Sequence, residues 1–154
     1  MSSGAEVADR FYAAFARRDH ATMAACYAPE ARFSDPVFPD LRGERIGLMW
    51  RMLCERGTDL RVEWRVLRAS DEGALVEWQA WYTFRATGRA VHNRVVATLD
   101  LDGHLIRRHR DDFAFHRWAA QALGWKGRLL GWTPLVRNAV RREAARALER
   151  FGGG

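Results

Sequence analysis

Asp35 stands directly before Pro36 in the segment ARFSDPVF, with Phe33 on one side and Val37–Phe38 on the other. A carboxylate among apolar side chains costs free energy unless hydrogen bonds or charges compensate it. Two interpretations are open. In the first, Asp35 ends a strand and holds a turn, because Asp-Pro is a frequent turn dipeptide. In the second, it is a base in a dry pocket, where burial raises the pKa of a carboxyl group towards neutrality.

The segment LIRRHRDDFAF carries a second set of titratable groups. It alternates as a strand does, so His109, Asp111 and Phe113 share one face while the residues between them share the other. An imidazole beside a carboxylate is typical of proton-transfer sites. It is equally typical of a buried pair whose two members only satisfy each other's hydrogen bonds.

Three helices are predicted before the chain changes character. The spacing of apolar residues predicts the first over AEVADRFYAAFARRD. Asp19 has the position of an N-cap for a short second helix that carries Tyr27 and ends at Pro29. A third amphipathic helix contains Trp50 and ends near Gly57.

After Gly57 the hydrophobic period becomes twofold. Four alternating segments, joined by SDEG, ATGR and Asp102-Gly103, predict an antiparallel meander of strands. On the second of these strands the aromatic residues Trp78, Tyr82 and Phe84 share one face. The order of the elements predicts an α+β architecture with helices on one face of a curved sheet.

A C-terminal helical extension is predicted over residues 116–151, following a domain over residues 1–115. Thr133 caps and Pro134 opens its last helix, whose apolar stripe is Val136, Val140, Ala144, Ala147 and Phe151. We expect this stripe to pack on the domain or on a second subunit; contact of the basic helix with a membrane is the less favoured alternative. Residues 152–154 are predicted to be a disordered tail.

Charge and cysteine usage exclude several functional classes. The formal charge of +6 lies in the extension, because eight cations and two anions follow residue 115 while residues 1–115 carry 17 of each. A neutral domain argues against nucleic-acid binding. Cys26 and Cys54 lack the spacing of a metal site, and we expect neither metal nor cofactor. No secretion signal or membrane-spanning run is evident, so a soluble cytoplasmic protein is expected.

The order FYAAFARRDHATMAACYAPEARFSDPVF…LRG, followed by four strands with VHN and HRD in the last two, resembles the nuclear-transport-factor-2-like superfamily. The similarity is greatest to the SnoaL-like and ketosteroid-isomerase-like branches and covers about residues 5–115. It implies a cone-shaped, cystatin-like fold, in which three N-terminal helices lie on a strongly curved, mainly antiparallel sheet around an internal pocket. It also implies a homodimer formed through the outer face of the sheet.

The resemblance assigns roles to the residues above. Asp35 matches the general base of the ketosteroid isomerases, and Asp111 matches the acid/base aspartate of the SnoaL-like cyclases; His109 completes the predicted catalytic set. The isomerases' two oxyanion donors fall on Phe11 and Ala97, so both donors are missing here. Epoxide hydrolases of the superfamily need an Asp–Arg–Asp set, and the inward register offers no arginine for it.

A small hydrophobic ligand is the partner that this pocket implies. The residues predicted to contact it are Tyr12, Phe15, Trp50, Trp78, Tyr82, Asn93 and Phe113. In one hypothesis the protein is an isomerase or cyclase in which an aspartate removes a proton next to a carbonyl and His109 or Asn93 donates to the enolate. In the other it is a non-catalytic ligand-binding or dimeric interaction module with a basic tail.

Overall fold

The computed structural model of the protein describes residues 1–153. Apart from the short strand Leu41–Arg42, where the sequence predicts a turn, its helices and strands follow one another in the predicted order. The helices of the described chain are α1 (Ser3–Ala16), α2 (His20–Ala25), α3 (Glu44–Arg56), α4 (Phe115–Leu123), α5 (Trp125–Leu130) and α6 (Pro134–Gly153). Its strands are β1 (Tyr27–Ser34), β2 (Leu41–Arg42), β3 (Arg61–Ser70), β4 (Gly73–Phe84), β5 (Arg89–Asp102) and β6 (Leu105–Asp112).

Side chains cap the first two helices. Ser2 Oγ accepts a hydrogen bond from the backbone N–H of Ala5 over 3.2 Å. Asp19 Oδ1 accepts one from the backbone N–H of Thr22 over 3.1 Å, which confirms Asp19 as an N-cap. Each cap satisfies a donor that the first turn of a helix leaves unpaired.

The strands form one six-stranded sheet in the order β2-β1-β6-β5-β4-β3. β3 to β6 are the predicted antiparallel meander. β1 joins this meander by pairing parallel with β6, and β2 pairs antiparallel with β1. The α+β prediction of three N-terminal helices on a curved, mainly antiparallel sheet, in a cone-shaped, cystatin-like fold, is therefore confirmed.

Register shifts bend this sheet. They interrupt the ladder between β3 and β4 near Leu67 and the ladder between β5 and β6 near Leu101. An extra residue in one strand of a pair increases the local twist and bends that strand. The sheet curves as a result, and its inner face can enclose a space beneath the helices.

The register brings separate parts of the chain to one inner face. His109 on β6 lies opposite Leu99 on β5 and Phe33 on β1. Asp111 lies opposite Ala97 on β5. Side chains of directly paired residues point to the same face of a sheet. His109 and Asp111 therefore lie on the inner face among apolar side chains, as predicted.

The helical spacing of the sequence predicts Tyr27 in the second helix, and this prediction is wrong. α2 ends at Ala25, and β1 begins at Tyr27 and runs through Pro29. The physical reason is strand pairing, because Tyr27 lies opposite Ile106 on β6. A proline is tolerated where a strand is irregular, and the pairing of β1 with β6 is interrupted between Tyr27 and Arg32.

The C-terminal helices pack on this body. Gln121 of α4 binds the backbone of His92 twice, accepting from its N–H over 2.7 Å and donating to its carbonyl over 3.0 Å. β5 extends beyond β6 at this point. The two bonds satisfy the backbone groups of His92 that a neighbouring strand would otherwise pair. α6 buries Leu148 completely, and Arg141 Nε donates to the carbonyl of Pro36 over 2.9 Å.

Two boundaries of the extension differ from the prediction. Helix α4 begins at Phe115, one residue before the expected start, and the ring of Phe115 is buried. α6 continues through Gly152 and Gly153, so the predicted disordered tail is wrong for these two residues. Residue 154 lies outside the described residues. None of the helices in residues 1–153 combines the length and apolar composition that crossing a bilayer requires.

Candidate active site

A cavity of about 710 Å³ lies between the inner face of the sheet and the helices α1, α3, α4 and α6. Sites for small molecules typically have volumes of about 300–1,000 Å³. Eight of the site residues predicted from the sequence line this cavity: Phe15, Asp35, Trp50, Trp78, Tyr82, Asn93, Asp111 and Phe113. Most of these side chains are aromatic, so the two carboxylates face a largely apolar space.

Asp35 combines both interpretations that the sequence left open. Its Oδ1 accepts from the backbone N–H groups of Val37 over 2.7 Å and Phe38 over 2.6 Å, so it holds the turn that follows β1. It also lines the cavity, and Oδ2 accepts no hydrogen bond from residues 1–153. Burial is the largest influence and raises the pKa of Asp35 to about 7; the charge of Asp111 acts in the same direction, while the two turn hydrogen bonds oppose it.

Asp111 lies near the C-terminal end of β6, on the inner face of the sheet, and is 2% exposed. Its Oδ1 accepts from His109 Nε2 over 2.8 Å and from Trp78 Nε1 over 3.3 Å. Within the described chain Oδ2 makes no hydrogen bond, and Asp111 contributes to the cavity wall. One carboxylate oxygen is therefore fixed by the protein, and the other is free for a ligand.

A chain of hydrogen bonds reaches Asp111 from the opposite side of His109. The indole Nε1 of Trp50 donates to the hydroxyl of Tyr27 over 3.0 Å, and this hydroxyl lies 2.7 Å from His109 Nδ1. Burial raises the pKa of Tyr27 well above its ordinary value, so the hydroxyl keeps its proton. The proton has His109 Nδ1 as its acceptor, which leaves Nε2–H to donate to Asp111.

The structure corrects the predicted contacts of His109 and Tyr12. His109 is completely buried and is not among the residues that line the cavity, because Tyr27 and Asp111 occupy both of its ring nitrogens. Tyr12 is also fully buried, stacking near Trp64 and leaving the cavity wall to Phe15. Residues three apart on α1 point in different enough directions for one to face the core and the other the cavity.

The hydroxyl of Tyr12 has no hydrogen-bond partner within residues 1–153. Burial raises the pKa of Tyr12 well above its ordinary value, and the charge of Asp111 acts in the same direction. An unpaired buried hydroxyl costs free energy. Tyr12 therefore lies in the core with an unpaired hydroxyl and does not form part of the cavity wall.

Tyr82 is positioned by the C-terminal extension. The indole Nε1 of Trp118 on α4 donates to the Tyr82 hydroxyl over 2.7 Å. Burial raises the pKa of Tyr82 to about 12, so the phenol is neutral near pH 7. Because the hydroxyl oxygen is used as an acceptor, its own proton remains available to a group in the cavity.

Several functional residues were missed from the sequence. Tyr27 was missed because its spacing predicts a helix. The only sequence signal for another role is that Tyr27 is an aromatic residue two positions before Pro29. Trp118 was missed because the resemblance ends at about residue 115. Helix α6 was expected to pack on the domain, but its cavity-lining role was not foreseen; the residues concerned are Val136, Ala139, Val140, Glu143, Ala144, Ala147 and Arg150.

The outer face of the sheet carries its own aromatic cluster. The ring of Trp81 stacks on His92 with centroids 4.5 Å apart, and the guanidinium of Arg61 lies 4.3 Å from the Trp81 ring. His92 Nε2 is also 2.8 Å from Gln79 Oε1. Among the described residues no cluster of three or more His, Cys, Asp or Glu side chains could hold a metal ion.

Comparison with known structures supports the fold. A protein with a ketosteroid-isomerase-like fold from Catenulispora acidiphila, in complex with trimethylamine, is 17% identical with a TM-score of 0.68, covering 84% of this chain and 98% of its own. An NTF2-like protein from Burkholderia thailandensis is 22% identical with a TM-score of 0.68, covering 80% and 98%. An LEH-like epoxide hydrolase from M. tuberculosis is 21% identical with a TM-score of 0.61, covering 87% and 95%.

The sequence itself matches a family model over a continuous segment. Residues 8–109 match the SnoaL-like domain, and this segment runs from α1 to His109 on β6. Among curated proteins, none matches the chain. The matched segment contains Asp35, the aromatic face of β4 and most of the sheet, so this protein belongs to the SnoaL-like domain family and has the nuclear-transport-factor-2-like fold.

Proposed function

We propose that this protein is an enzyme of the isomerase or cyclase type that transfers a proton next to the carbonyl group of a small hydrophobic substrate. The observation that carries the proposal is the position of Asp35, a carboxylate with a pKa of about 7 in the wall of a largely apolar cavity. A general base is most effective when its pKa lies near the working pH.

Asp35 is the base in this proposal. Its Oδ1 is held by the turn, so the free Oδ2 is the oxygen that takes the proton from carbon. The apolar walls disfavour the charged carboxylate before the reaction and favour proton uptake. Fixing one oxygen with two backbone donors also orients the other, which reduces the cost of reaching the reacting geometry.

The negative charge that develops on the substrate oxygen needs donors. The positions that the resemblance assigns to the two oxyanion donors of the ketosteroid isomerases hold Phe11 and Ala97, which cannot donate from their side chains. Asn93 and Tyr82 line the same cavity, and both carry protons that no residue in 1–153 accepts. We assign them to stabilising the enolate oxygen, a contribution that arises mainly from donors already held in place.

Asp111 is assigned as the second acid/base group, with its free Oδ2 in the cavity wall. His109 is a positioning residue, because it contacts Asp111 and Tyr27 and does not reach the cavity. We do not propose epoxide hydrolysis. Epoxide hydrolases of the superfamily need an Asp–Arg–Asp set. Arg56, Arg85 and Arg150 line the cavity, but within residues 1–153 no arginine is hydrogen-bonded to Asp35 or Asp111, and the side chains bonded to Asp111 are an imidazole and an indole.

The alternative function is non-catalytic binding of a hydrophobic ligand. It is favoured by the hydrogen-bond chain Trp50–Tyr27–His109–Asp111. In this chain the indole N–H, the hydroxyl and both ring nitrogens of the imidazole already have partners within the protein. In that case the carboxylates would orient a ligand without exchanging protons with it. The two functions are distinguished by whether protons leave the bound molecule.

Exchange of carbon-bound protons provides the test. We would incubate the protein with tetralone and larger fused-ring ketones in D2O and follow deuterium uptake next to the carbonyl by mass spectrometry. We expect accelerated exchange whose rate rises with pH through about 7, where Asp35 ionises, and then levels off. Asp35→Asn should reduce the accelerated rate by roughly 10²–10⁴-fold.

Asp35→Asn is a well-matched variant, because its amide oxygen can still accept both hydrogen bonds of the turn. Asp111→Asn has a control in Asp112→Asn, since Asp112 is the next residue but is exposed and paired with Arg110. Loss of exchange in Asp35→Asn and Asp111→Asn, together with its retention in Asp112→Asn, supports the proposal. Ligand binding seen by tryptophan quenching, with no exchange in the wild-type protein for any ketone, would establish the binding alternative instead.

A further inference from the structure

Residues 125–135 expose a cluster of large apolar side chains. Of the ten exposed large apolar side chains in residues 1–153, five belong to this segment of eleven residues and are here called the Trp–Leu patch: Trp125, Leu129, Leu130, Trp132 and Leu135. Trp125 is 68% exposed and Trp132 is 70% exposed. Single exposed apolar residues are ordinary, but a cluster of this kind with a polar rim marks a docking surface.

The packing of α5 explains why these side chains face outwards. A Cβ atom at Gly127 would collide with the backbone carbonyl of Ala119 on α4, and one at Gly131 would lie 2.8 Å from the Ala119 Cβ. The glycine side of α5 therefore lies against α4. Trp125 and Leu129 are about 200° around the helix from this contact, so close packing of the glycines turns the large side chains away from the body.

Two hydrogen bonds hold the patch in this orientation. His116 Nε2 donates to the backbone carbonyl of Arg128 over 2.9 Å. Trp132 Nε1 donates to the carbonyl of Leu129 over 2.9 Å, so the only polar atom of this indole is already satisfied. The ring of Trp132 can then enter an apolar medium without leaving an unpaired donor behind.

The charge around the patch is of one sign. Residues 116–142 contain no Asp or Glu, and their cations are Arg117, Lys126, Arg128, Arg137, Arg141 and Arg142. Lys126 and Arg128 belong to α5 itself and are exposed. Exposed tryptophans among cations are typical of surfaces that bind the headgroup region of an anionic bilayer.

We propose that the Trp–Leu patch docks this protein on the surface of a bilayer that contains anionic lipid. The tryptophans would lie in the headgroup region while the neighbouring cations face the lipid phosphates. This surface differs from the α6 stripe considered from the sequence, because the α6 stripe packs on the body. The proposal goes beyond the proton-transfer chemistry and does not depend on it.

A second copy of the chain is a less favourable occupant. In a twofold dimer the same patch would face itself, which would bring Lys126 and Arg128 of both copies together. The body of the protein is charge-balanced over residues 1–115, so it offers no excess of anions to the patch. An anionic bilayer complements both the apolar and the cationic part of the surface.

The position of the patch relative to the cavity fits this occupant. Leu123 lines the cavity two residues before Trp125, and Val136 lines it directly after Leu135. The cavity wall made by α4 and α6 is thus continuous along the chain with the proposed lipid contact. Docking would bring this wall close to the phase in which hydrophobic molecules dissolve.

Vesicle co-sedimentation of the full-length protein tests the proposal. We expect binding to vesicles in which phosphatidylglycerol is mixed with phosphatidylcholine, weaker binding to phosphatidylcholine alone, and loss of binding as salt is raised. Replacing both tryptophans (Trp125→Ser with Trp132→Ser) should lower the partition coefficient at least about tenfold. Lys126→Gln with Arg128→Gln should lower it by a similar factor, about tenfold, for the anionic vesicles only.

Matched controls use exposed residues away from the patch. Leu67→Ser with Leu105→Ser removes two exposed leucines of the sheet, and Arg107→Gln with Arg108→Gln removes two exposed cations of β6; neither pair should change vesicle binding. The thermal midpoints of all variants show whether they fold. The proposal is overturned if the wild type binds neither kind of vesicle, or if the patch variants bind vesicles as well as the wild type does. It is also overturned if the patch substitutions change only the oligomeric mass of the protein in solution.

Discussion

His109 and Asp111 lie two residues apart on the inner face of β6, and one hydrogen bond of 2.8 Å joins Nε2 of the imidazole to Oδ1 of the carboxylate. Neither side chain is appreciably exposed to solvent. The direction of this bond depends on Tyr27, whose hydroxyl occupies the other ring nitrogen. Tyr27 therefore determines which nitrogen of His109 carries the proton that Asp111 accepts.

Tyr27→Phe should destabilise the protein. The substitution removes the acceptor of Trp50 Nε1 and the donor to His109 Nδ1, and it leaves two buried polar atoms without partners. Each such atom costs about 1–3 kcal/mol, so we expect a loss of about 2–6 kcal/mol in the free energy of unfolding. Urea denaturation at pH 7 measures this change.

Tyr12→Phe is the control, because it removes a hydroxyl from a completely buried tyrosine of the same core. This hydroxyl has no partner within residues 1–153, so its removal should leave stability unchanged or raise it by about 1 kcal/mol. Equal destabilisation by the two substitutions would contradict the hydrogen-bond chain described here.

Asp35→Asn should stabilise the protein at high pH. The pKa of Asp35 is about 7 in the folded protein and near its ordinary value of 3.8 when unfolded, so the folded state binds this proton more tightly. Stability from this group is therefore present below pH 4 and is lost as pH rises through 7. We expect the variant to gain on the order of 4 kcal/mol at pH 8 relative to the wild type, and little at pH 4, because the folded and unfolded pKa values differ by about three and each unit corresponds to about 1.4 kcal/mol.

Urea denaturation of both proteins between pH 4 and pH 8 provides the measurement. Asp112→Asn serves as the control, because this exposed carboxylate pairs with Arg110 outside the cavity and should give no such pH-dependent gain. A gain for Asp35→Asn that is the same at all pH values would mean that Asp35 has an ordinary pKa.

Leu148→Ala should show that α6 belongs to the core. Leu148 is completely buried, and truncating a buried leucine to alanine costs about 2–5 kcal/mol. Leu135→Ala provides the comparison on the same helix, since Leu135 is 74% exposed and should change stability by less than about 0.5 kcal/mol. Calorimetric unfolding without lipid compares the two, and a negligible effect at Leu148 would mean that α6 is detached in solution.

Dimer formation through the outer face of the sheet is a separate prediction. Trp81, His92 and Arg61 form an aromatic and cationic cluster on that face, and such residues are enriched at the centres of protein interfaces. We expect sedimentation equilibrium to give the mass of a dimer for the wild type and of a monomer for Trp81→Ala. A monomeric wild type at all concentrations would contradict the prediction, and Leu67→Ala is the surface control.

Alternation along the strands was enough to place many of the site residues. Because side chains on a strand change face at every residue, the inward positions of Asn93 on β5 and Asp111 on β6 follow from the sequence alone once the strands are recognised. The turn after β1 was also predictable from Asp35 and Pro36. What the sequence could not supply is the desolvation of Asp35, which depends on side chains distant along the chain.

The misplaced residues show where local patterns fail. Tyr27 continues a helical spacing in sequence, yet its pairing with Ile106 is a contact across 79 residues that no local pattern contains. Tyr12 and Phe15 both lie on the apolar side of α1, and only the packing of Trp64 and Trp78 decides which of them reaches the cavity. Tertiary context overrides the local periodicity at these positions.

The family match ends at His109, but the wall of the chamber does not. Val136 and Val140 of α6 complete the enclosure, and Arg141 fastens this helix to the carbonyl of Pro36, next to the proposed base. The size and outline of an acceptable guest are thus set in part by a segment that the shared domain does not include. Relatives with a similar catalytic half and a different C-terminus should therefore select differently shaped molecules.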